Sequence, residues 1–128
     1  MGRKFSRQMK EIISYSLEGA LRLGSNCISP EHFLLGLLKE GDNTAVRILK
    51  GFNVDIDQLQ KEIESSPKDN ASSHNSLPLD ENAEKIIRGA VQEAKTLKSK
   101  KVETEHLMLA ILNSHNTASQ IFHHIRPD

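Results

Sequence analysis

Residues 29–38 read Ser29-Pro30-Glu31-His32-Phe33-Leu34-Leu35-Gly36-Leu37-Leu38. A similar sequence recurs as Glu103-Thr104-Glu105-His106-Leu107-Met108-Leu109-Ala110-Ile111-Leu112, so that position 105 follows position 31 by 74 residues. The same spacing places Ile12 and Ile13 on Ile86 and Ile87, Ala20 on Ala94, and Leu23 on Leu97. A period of this length indicates a repeated helical unit, and any surface feature of one unit should have a counterpart on the other.

Apolar residues at helical spacing predict the elements of each unit. In the first unit, Ser6 is expected to cap a helix that Gly24 ends, and Ser29 to cap a central, mostly apolar helix with Pro30 at its first position. In the second unit, Asp80 and Thr104 are expected to cap the counterparts. Further helices are predicted over 44–50, from Asp55 or Asp57 onward, and over 117–125. No segment indicates a strand.

These elements predict an all-α fold of two pseudo-symmetric helical repeats packed as one domain. The first repeat covers residues 1–64, residues 65–78 form a polar linker, and the second repeat covers 79–128. The second repeat lacks a counterpart of the fourth helix. That difference favours an excised piece of a longer protein, and the alternative is a naturally short form.

Composition limits the classes of function. The chain has 128 residues, 17 Lys and Arg against 17 Asp and Glu, no Trp, and one cysteine, Cys27. A formal net charge of zero gives no global field for nucleic acid or an anionic membrane. A single cysteine forms no internal disulfide, and no apolar run is long enough to span a bilayer. We therefore expect a cytoplasmic protein without nucleic-acid or membrane partners.

The histidines and motifs give little support to catalysis. No phosphate-binding loop is present, so this chain alone should not hydrolyse ATP and needs no cofactor. His123 and His124 diverge on a helix, and no metal site is expected. His32 and His106 lie in the first turns of the central helices, where a hydrogen-bonded structural role competes with a role in a small helical enzyme.

Two acids and two apolar residues are the candidate binding residues. Glu31 and Glu105 can simply complement the helix dipole, or each can form a receptor in which a carboxylate binds a guanidinium beside helix N–H groups. Phe5 and Leu79 can line a peptide groove between the units or act as hydrophobic staples. The lysines at 95, 98, 100 and 101 could contact phosphate or form a solvated loop.

The doubled Glu-His and the leucine-rich helix after it closely resemble the Clp amino-terminal repeat domain of AAA+ unfoldases such as ClpC and ClpA. The resemblance extends over residues 5–125 and is strongest over 20–24 and 31–41, with support from 45–50. The sequences of these stretches resemble the ClpC branch more than the ClpA or ClpB branch.

The resemblance implies a non-catalytic domain that recognises adaptor proteins and unfolded or tagged substrates. The ATPase modules, which bind ATP, would lie in a hexameric parent protein that serves a ClpP-type peptidase. In ClpC-like members the motif glutamates can bind phosphoarginine, which would place that role on Glu31 and Glu105, with Thr104 as a further donor. The family commonly reads Gly-Thr-Glu-His here, so Pro30 and Glu103 are departures that make the two sites unequal.

Overall fold

The computed structural model describes residues 4–64 and 77–113. Within these ranges the chain forms six helices and two very short strands. In chain order they are β1 (Lys4–Phe5), α1 (Arg7–Arg22), α2 (Pro30–Glu40), α3 (Thr44–Gly51), α4 (Ile56–Glu64), α5 (Glu81–Thr96), β2 (Lys101–Val102) and α6 (Thr104–Leu112). The all-α prediction is confirmed. Most of the predicted linker and the predicted helix over 117–125 lie outside the described residues.

The helix boundaries follow from capping residues that the sequence shows. Ser6 Oγ accepts the Met9 N–H, and Asp80 Oδ1 accepts the Ala83 N–H, at 3.1 and 2.7 Å respectively. Gly41 ends α2 in the left-handed region. Asp55 precedes α4 and accepts the Gln58 N–H through its side chain, which decides between the two predicted starts.

Two helix pairs form the body of the domain: α1 packs against α2, and α5 packs against α6. Helix α2 also contacts α4 and α5, while α3 contacts α6, so the two units share one hydrophobic core. As predicted, α2 is apolar around most of its surface, and it buries seven of its eleven residues. The largest fully buried side chains come from both units, Phe33, Met9, Leu107 and Met108 among them.

Helices α1 and α2 approach closely at Gly36. A Cβ built at this position would lie 2.6 Å from Ser16 Oγ and would also meet the backbone carbonyl of Ile12. The repeat partner of Gly36 is Ala110, whose methyl group instead faces Gly89 on α5. Each helix pair therefore has a glycine at its contact, on α2 in one unit and on α5 in the other.

The units are joined along what we call the seam, two short parallel pairings between segments that precede helices. Phe5 pairs with Val102, and Ile28 pairs with Leu79. Under the 74-residue repeat spacing, Phe5 corresponds to Leu79 and Ile28 to Val102, so the two pairings are pseudo-twofold copies of each other. The expectation of no strand was wrong at the seam, because two-residue strands have no period to detect.

The seam also includes the end of the predicted linker. The Ile28 N–H donates to the Pro78 carbonyl at 2.8 Å, the Asp80 N–H donates to the Ile28 carbonyl at 2.9 Å, and Leu77 packs against the core. The segment from Leu77 onward is therefore fixed against the first unit.

Candidate functional site

The histidine of each repeat holds the start of a central helix. The backbone N–H of Ser29 donates to His32 Nδ1, and that of Glu103 donates to His106 Nδ1, each at 2.8 Å. Since Nδ1 accepts, a neutral ring must place its proton on Nε2. His32 and His106 are 3% and 2% exposed. The structural interpretation of these residues thus has a specific geometry, and the small-enzyme alternative loses both candidate bases.

Burial gives His32 a strongly altered titration. Desolvation lowers the pKa of His32 to about 4, while the nearby Asp80 carboxylate acts in the opposite direction. The ring is therefore neutral at pH 7 and keeps its acceptor nitrogen. Its Nε2 lies 3.5 Å from Ser25 Oγ, at the limit of hydrogen-bond distance.

Glu31 differs from every other described acid. It lies at the second position of α2 and is half-buried, and its Oε1 is a buried side-chain atom with no hydrogen-bond partner among the described residues. Burial raises the pKa of Glu31, its own backbone N–H lowers it, and the Asp80 carboxylate raises it again. A buried carboxylate oxygen that the fold leaves without a donor can accept one from a ligand.

Asp80 connects the two units at this point, which we call the α2 site: Ser29, Pro30, Glu31 and Asp80. Ser29 Oγ donates to Asp80 Oδ2 at 2.7 Å, while the other oxygen of Asp80 caps α5. Pro30 is buried at the first position of α2 and supplies no backbone N–H. Two carboxylates and a missing N–H make the α2 site suited to a cation.

The corresponding α6 site consists of Glu103, Thr104, Glu105 and Ser6, the repeat partner of Asp80. The backbone N–H of His106 donates to the backbone carbonyl of Glu103 at 3.1 Å, and Glu103 is the N-cap. The prediction that Thr104 caps α6 was therefore wrong, because the histidine sets the register by binding the N–H three residues before it. Thr104 is the first helical residue and is 1% exposed, and Glu105 is half-buried.

Phe5 and Leu79 lie at the seam, next to the starts of the central helices as expected, but in crossed positions. Phe5 pairs beside the α6 site and Leu79 beside the α2 site. Both are partly buried and pack against the core, so much of their apolar surface stabilises the fold. A role of Phe5 and Leu79 in lining a peptide groove stays a prediction.

An open groove that the sequence did not indicate lies elsewhere, along α1 and α2 with Gln60 of α4 at its border. Its volume is about 480 Å³. Tyr15, Leu35 and Leu38 contribute apolar surface, and Glu18, Arg22 and Lys39 contribute charge. Lys39 donates to Glu18 at 2.9 Å and lies 4.9 Å from the Tyr15 ring centroid. The sequence feature that could have indicated this groove is Tyr15, the chain's one tyrosine, on the solvent side of α1.

Metal-ligand clusters and membrane-spanning helices are two further features for which the described part of the chain gives a plain result. No group of three or more His, Cys, Asp or Glu residues in 4–64 and 77–113 is arranged to hold a metal ion. His123 and His124 lie outside these ranges. Among the same residues, no helix is both long and apolar enough to cross a membrane.

These features define a class of protein: an all-helical domain of two repeats whose central helices start at a shared seam, each with an acid in its first turn. The family model described as "Clp repeat (R) N-terminal domain" matches residues 4–125. The chain therefore belongs to the Clp N-terminal repeat domain family.

Relatives of the chain are larger Clp proteins. The "Negative regulator of genetic competence ClpC/MecB" of Bacillus subtilis is 32% identical over 109 residues, which is 85% of this chain and 14% of that protein. The "Chaperone protein ClpB" of Oceanobacillus iheyensis is 30% identical over 109 residues, with the same coverage of 85% and 14%. The chain thus spans about one seventh of the length of these relatives.

Solved structures show the same fold at low identity. The N-terminal domain of Hsp104 from Candida albicans has a TM-score of 0.81 at 17% identity, over 95% of this chain and 81% of that one. A ClpV N-domain in complex with a VipB peptide has a TM-score of 0.71 at 19% identity, over 95% and 79%.

Proposed function

We propose that this chain is a substrate- and adaptor-recognition domain of a Clp-type ATP-dependent unfoldase in regulated proteolysis, and that polypeptide segments dock at the α2 and α6 sites. The chain binds and performs no chemistry itself. In the proposed parent protein, ATPase modules bind ATP, the assembly is hexameric, and a ClpP-type peptidase receives the unfolded substrate.

The single observation that supports docking most directly is the buried Oε1 of Glu31. Burying a carboxylate oxygen without a donor is unfavourable, and native folds keep few such groups. The neighbouring Asp80 makes the arrangement less favourable still. A guanidinium or ammonium group from a bound polypeptide would supply the missing donors and offset both carboxylates.

Two further observations agree with polypeptide recognition. The ClpV N-domain that shares this fold is described in complex with a peptide. The groove along α1 and α2 offers apolar contacts bordered by both signs of charge, which suits an extended or helical segment. In this proposal the α2 and α6 sites select cationic side chains and the groove adds contact area.

The proposal can be tested with a labelled, permanently unfolded model protein and fluorescence anisotropy. Wild-type chain is expected to bind it, Glu31→Gln and Glu105→Gln to weaken binding, and the double variant to weaken it most. Asp57→Asn is the control, because Asp57 is an exposed acid in the first turn of α4, a helix that carries no residue of either site. Equal affinity for all four variants, or ATP turnover by the isolated chain, would contradict the proposal.

The phosphoarginine receptor is the second candidate, and the asymmetry between the two sites favours one of them. At the α2 site, the Asp80 carboxylate opposes a phosphoryl group, and Pro30 has no N–H to donate. At the α6 site, Ser6 takes the place of Asp80, and Thr104 keeps its backbone N–H. Any phosphoarginine binding is therefore proposed at Glu105.

Calorimetry with free phosphoarginine tests this second candidate separately. The expected result is heat of binding that Glu105→Gln removes and Glu31→Gln leaves nearly unchanged. No heat from the wild-type chain would reject phosphoarginine binding while leaving the docking of unmodified polypeptides open to the anisotropy test.

A further inference from the structure

The seam brings together lysines that are far apart in the sequence. Lys4 of β1 pairs in register with Lys101 of β2, and both are exposed, whereas their neighbours Phe5 and Val102 face the core. Lys98 and Lys100, in the turn just before β2, are also exposed. We call Lys4, Lys98, Lys100 and Lys101 the lysine patch.

Ion pairs among the described residues do not offset the charge of the patch. Five basic residues elsewhere in the described chain form ion pairs with acids, and no ion pair within the described residues involves a lysine of the patch. The nearest acid in the sequence, Glu103, forms no ion pair with these four lysines either. Within residues 4–64 and 77–113, the patch therefore presents four positive charges without an ion-pair partner, in a chain of zero formal net charge.

The fold does not need these lysines. The repeat partners of Lys4 and Lys101 are Pro78 and Cys27, which occupy the same places beside the other pairing of the seam. That pairing forms with neutral residues, and like charges directly opposite each other on neighbouring strands are destabilising. The lysine pair is thus a local disadvantage for pairing that an external anion would remove.

From this arrangement we propose that the lysine patch docks an acidic segment of a polypeptide partner. Because the patch is positively charged, charge complementarity requires a negatively charged partner. A polypeptide is favoured over nucleic acid or a membrane because the chain has no net positive charge and the aromatic residue of the patch region, Phe5, packs against the core instead of offering a stacking surface.

The patch continues directly into the α6 site, since Lys101 and Val102 precede Glu103 and Glu105 in the chain. A segment with a cationic side chain on Glu105 would bring its neighbouring residues over the lysines. Acidic polypeptide segments are thus a partner class added to the proposed function, and their biological role rests on that function. The binding test below changes neither Glu31 nor Glu105.

The test uses a labelled peptide of alternating Glu and Ser, its Lys-Ser counterpart, a double-stranded DNA oligonucleotide and phosphatidylserine vesicles. The decisive variant is Lys4→Ser with Lys101→Ser. The matched control is Lys50→Ser with Lys61→Ser, which removes the same charge from exposed positions on α3 and α4. Thermal unfolding checks that both variants fold, and the patch variant is expected to be at least as stable as wild type.

The proposal expects the acidic peptide to bind and the Lys-Ser peptide not to bind. The patch variant should bind the acidic peptide about tenfold more weakly, as two lost ion pairs of roughly 0.7 kcal/mol each would give. The control should change affinity less than about twofold. Equal loss in both variants, no binding of the acidic peptide, or tighter binding of DNA or vesicles that the patch variant abolishes would overturn it, whatever the outcome with unfolded protein.

Discussion

At the scale of single residues, the two Glu-His pairs combine opposite roles. His32 and His106 stabilise the helix starts by accepting a backbone N–H at 2.8 Å. Glu31 does the reverse, because its buried oxygen has no donor in the described structure. If Glu31 binds polypeptide as proposed, a cost to the stability of the fold at this position is what a trade-off between stability and binding predicts.

Glu31→Gln is therefore expected to stabilise the domain at pH 7. The amide carries no charge to desolvate and is not repelled by Asp80, so the free energy of unfolding should rise by on the order of 1 kcal/mol. Urea denaturation measures this change, and Glu105→Gln is the control at the equivalent position. A less stable Glu31→Gln variant would show that the carboxylate supports the fold.

The titration of His32 predicts acid sensitivity of the fold. Its folded pKa of about 4 lies below the ordinary value of 6.5, so the unfolded chain takes up the proton more readily. The stabilising contribution is complete above pH 6.5 and is lost as the pH falls toward 4. At most about 3 kcal/mol would be lost, and the raised pKa of Glu31 offsets part of this loss because its protonation favours the folded state.

Urea denaturation between pH 7 and 4 checks this prediction, with His32→Asn as the comparison. An asparagine side chain offers a carbonyl acceptor that does not titrate in this range, so the variant should lose less stability on acidification than wild type. Parallel pH profiles for the two proteins would contradict the assignment to His32.

At the scale of elements, the helix pairs show which positions the packing fixes. The contact between α1 and α2 leaves no room for a side chain at Gly36, since an added Cβ would lie 2.6 Å from Ser16 Oγ and against the Ile12 carbonyl. Gly51, in the last turn of α3, has nothing within 4 Å of the same atom. These two helical glycines have opposite structural roles.

Gly36→Ala is expected to lower the free energy of unfolding by about 1–3 kcal/mol, because the helices must separate to accept the methyl group. Gly51→Ala, the matched control, should be neutral or stabilising by up to about 1 kcal/mol through helix propensity. Chemical denaturation of both variants measures the difference, and a Gly36→Ala variant as stable as Gly51→Ala would disprove the close approach.

The turns after α1 and α5 offer a second comparison within the molecule. Gly24 and its repeat partner Lys98 both have positive φ, at 75° and 58°. Only glycine adopts this conformation without steric penalty. Lys98→Gly should therefore stabilise the domain by roughly 0.5–1 kcal/mol, and Gly24→Ala should destabilise it. Thermal unfolding of the two variants is the measurement, and changes of the same sign would contradict the repeat correspondence.

At the scale of the whole molecule, the sequence predicted the repeat, the helices and most caps, since these depend on local patterns. It did not predict the seam, because parallel pairings of one or two residues arise only when Phe5 meets Val102 and Ile28 meets Leu79. For the same reason, Lys4 could not be placed beside Lys101, nor Asp80 beside Glu31 and Ser29. The residues of the candidate sites were identifiable, whereas their charge environment required tertiary contacts.

The seam also explains how a twofold repeat yields unequal sites. The α2 site contains Asp80, whereas the α6 site has Ser6 at the equivalent position and adjoins the lysine patch. The same repeated backbone arrangement thus presents a carboxylate-rich surface at the α2 site and a surface with charges of both signs at the α6 site. Different segments of a polypeptide would then bind at the two ends.

The central claim is that polypeptides dock at the starts of α2 and α6, and amide chemical-shift mapping tests it most directly. An unlabelled, permanently unfolded protein is added to the isotope-labelled chain. We expect the largest shifts in residues 29–33 and 103–107, with smaller shifts along the α1–α2 groove. Shifts confined to other surfaces, or none at saturating concentration, would contradict it.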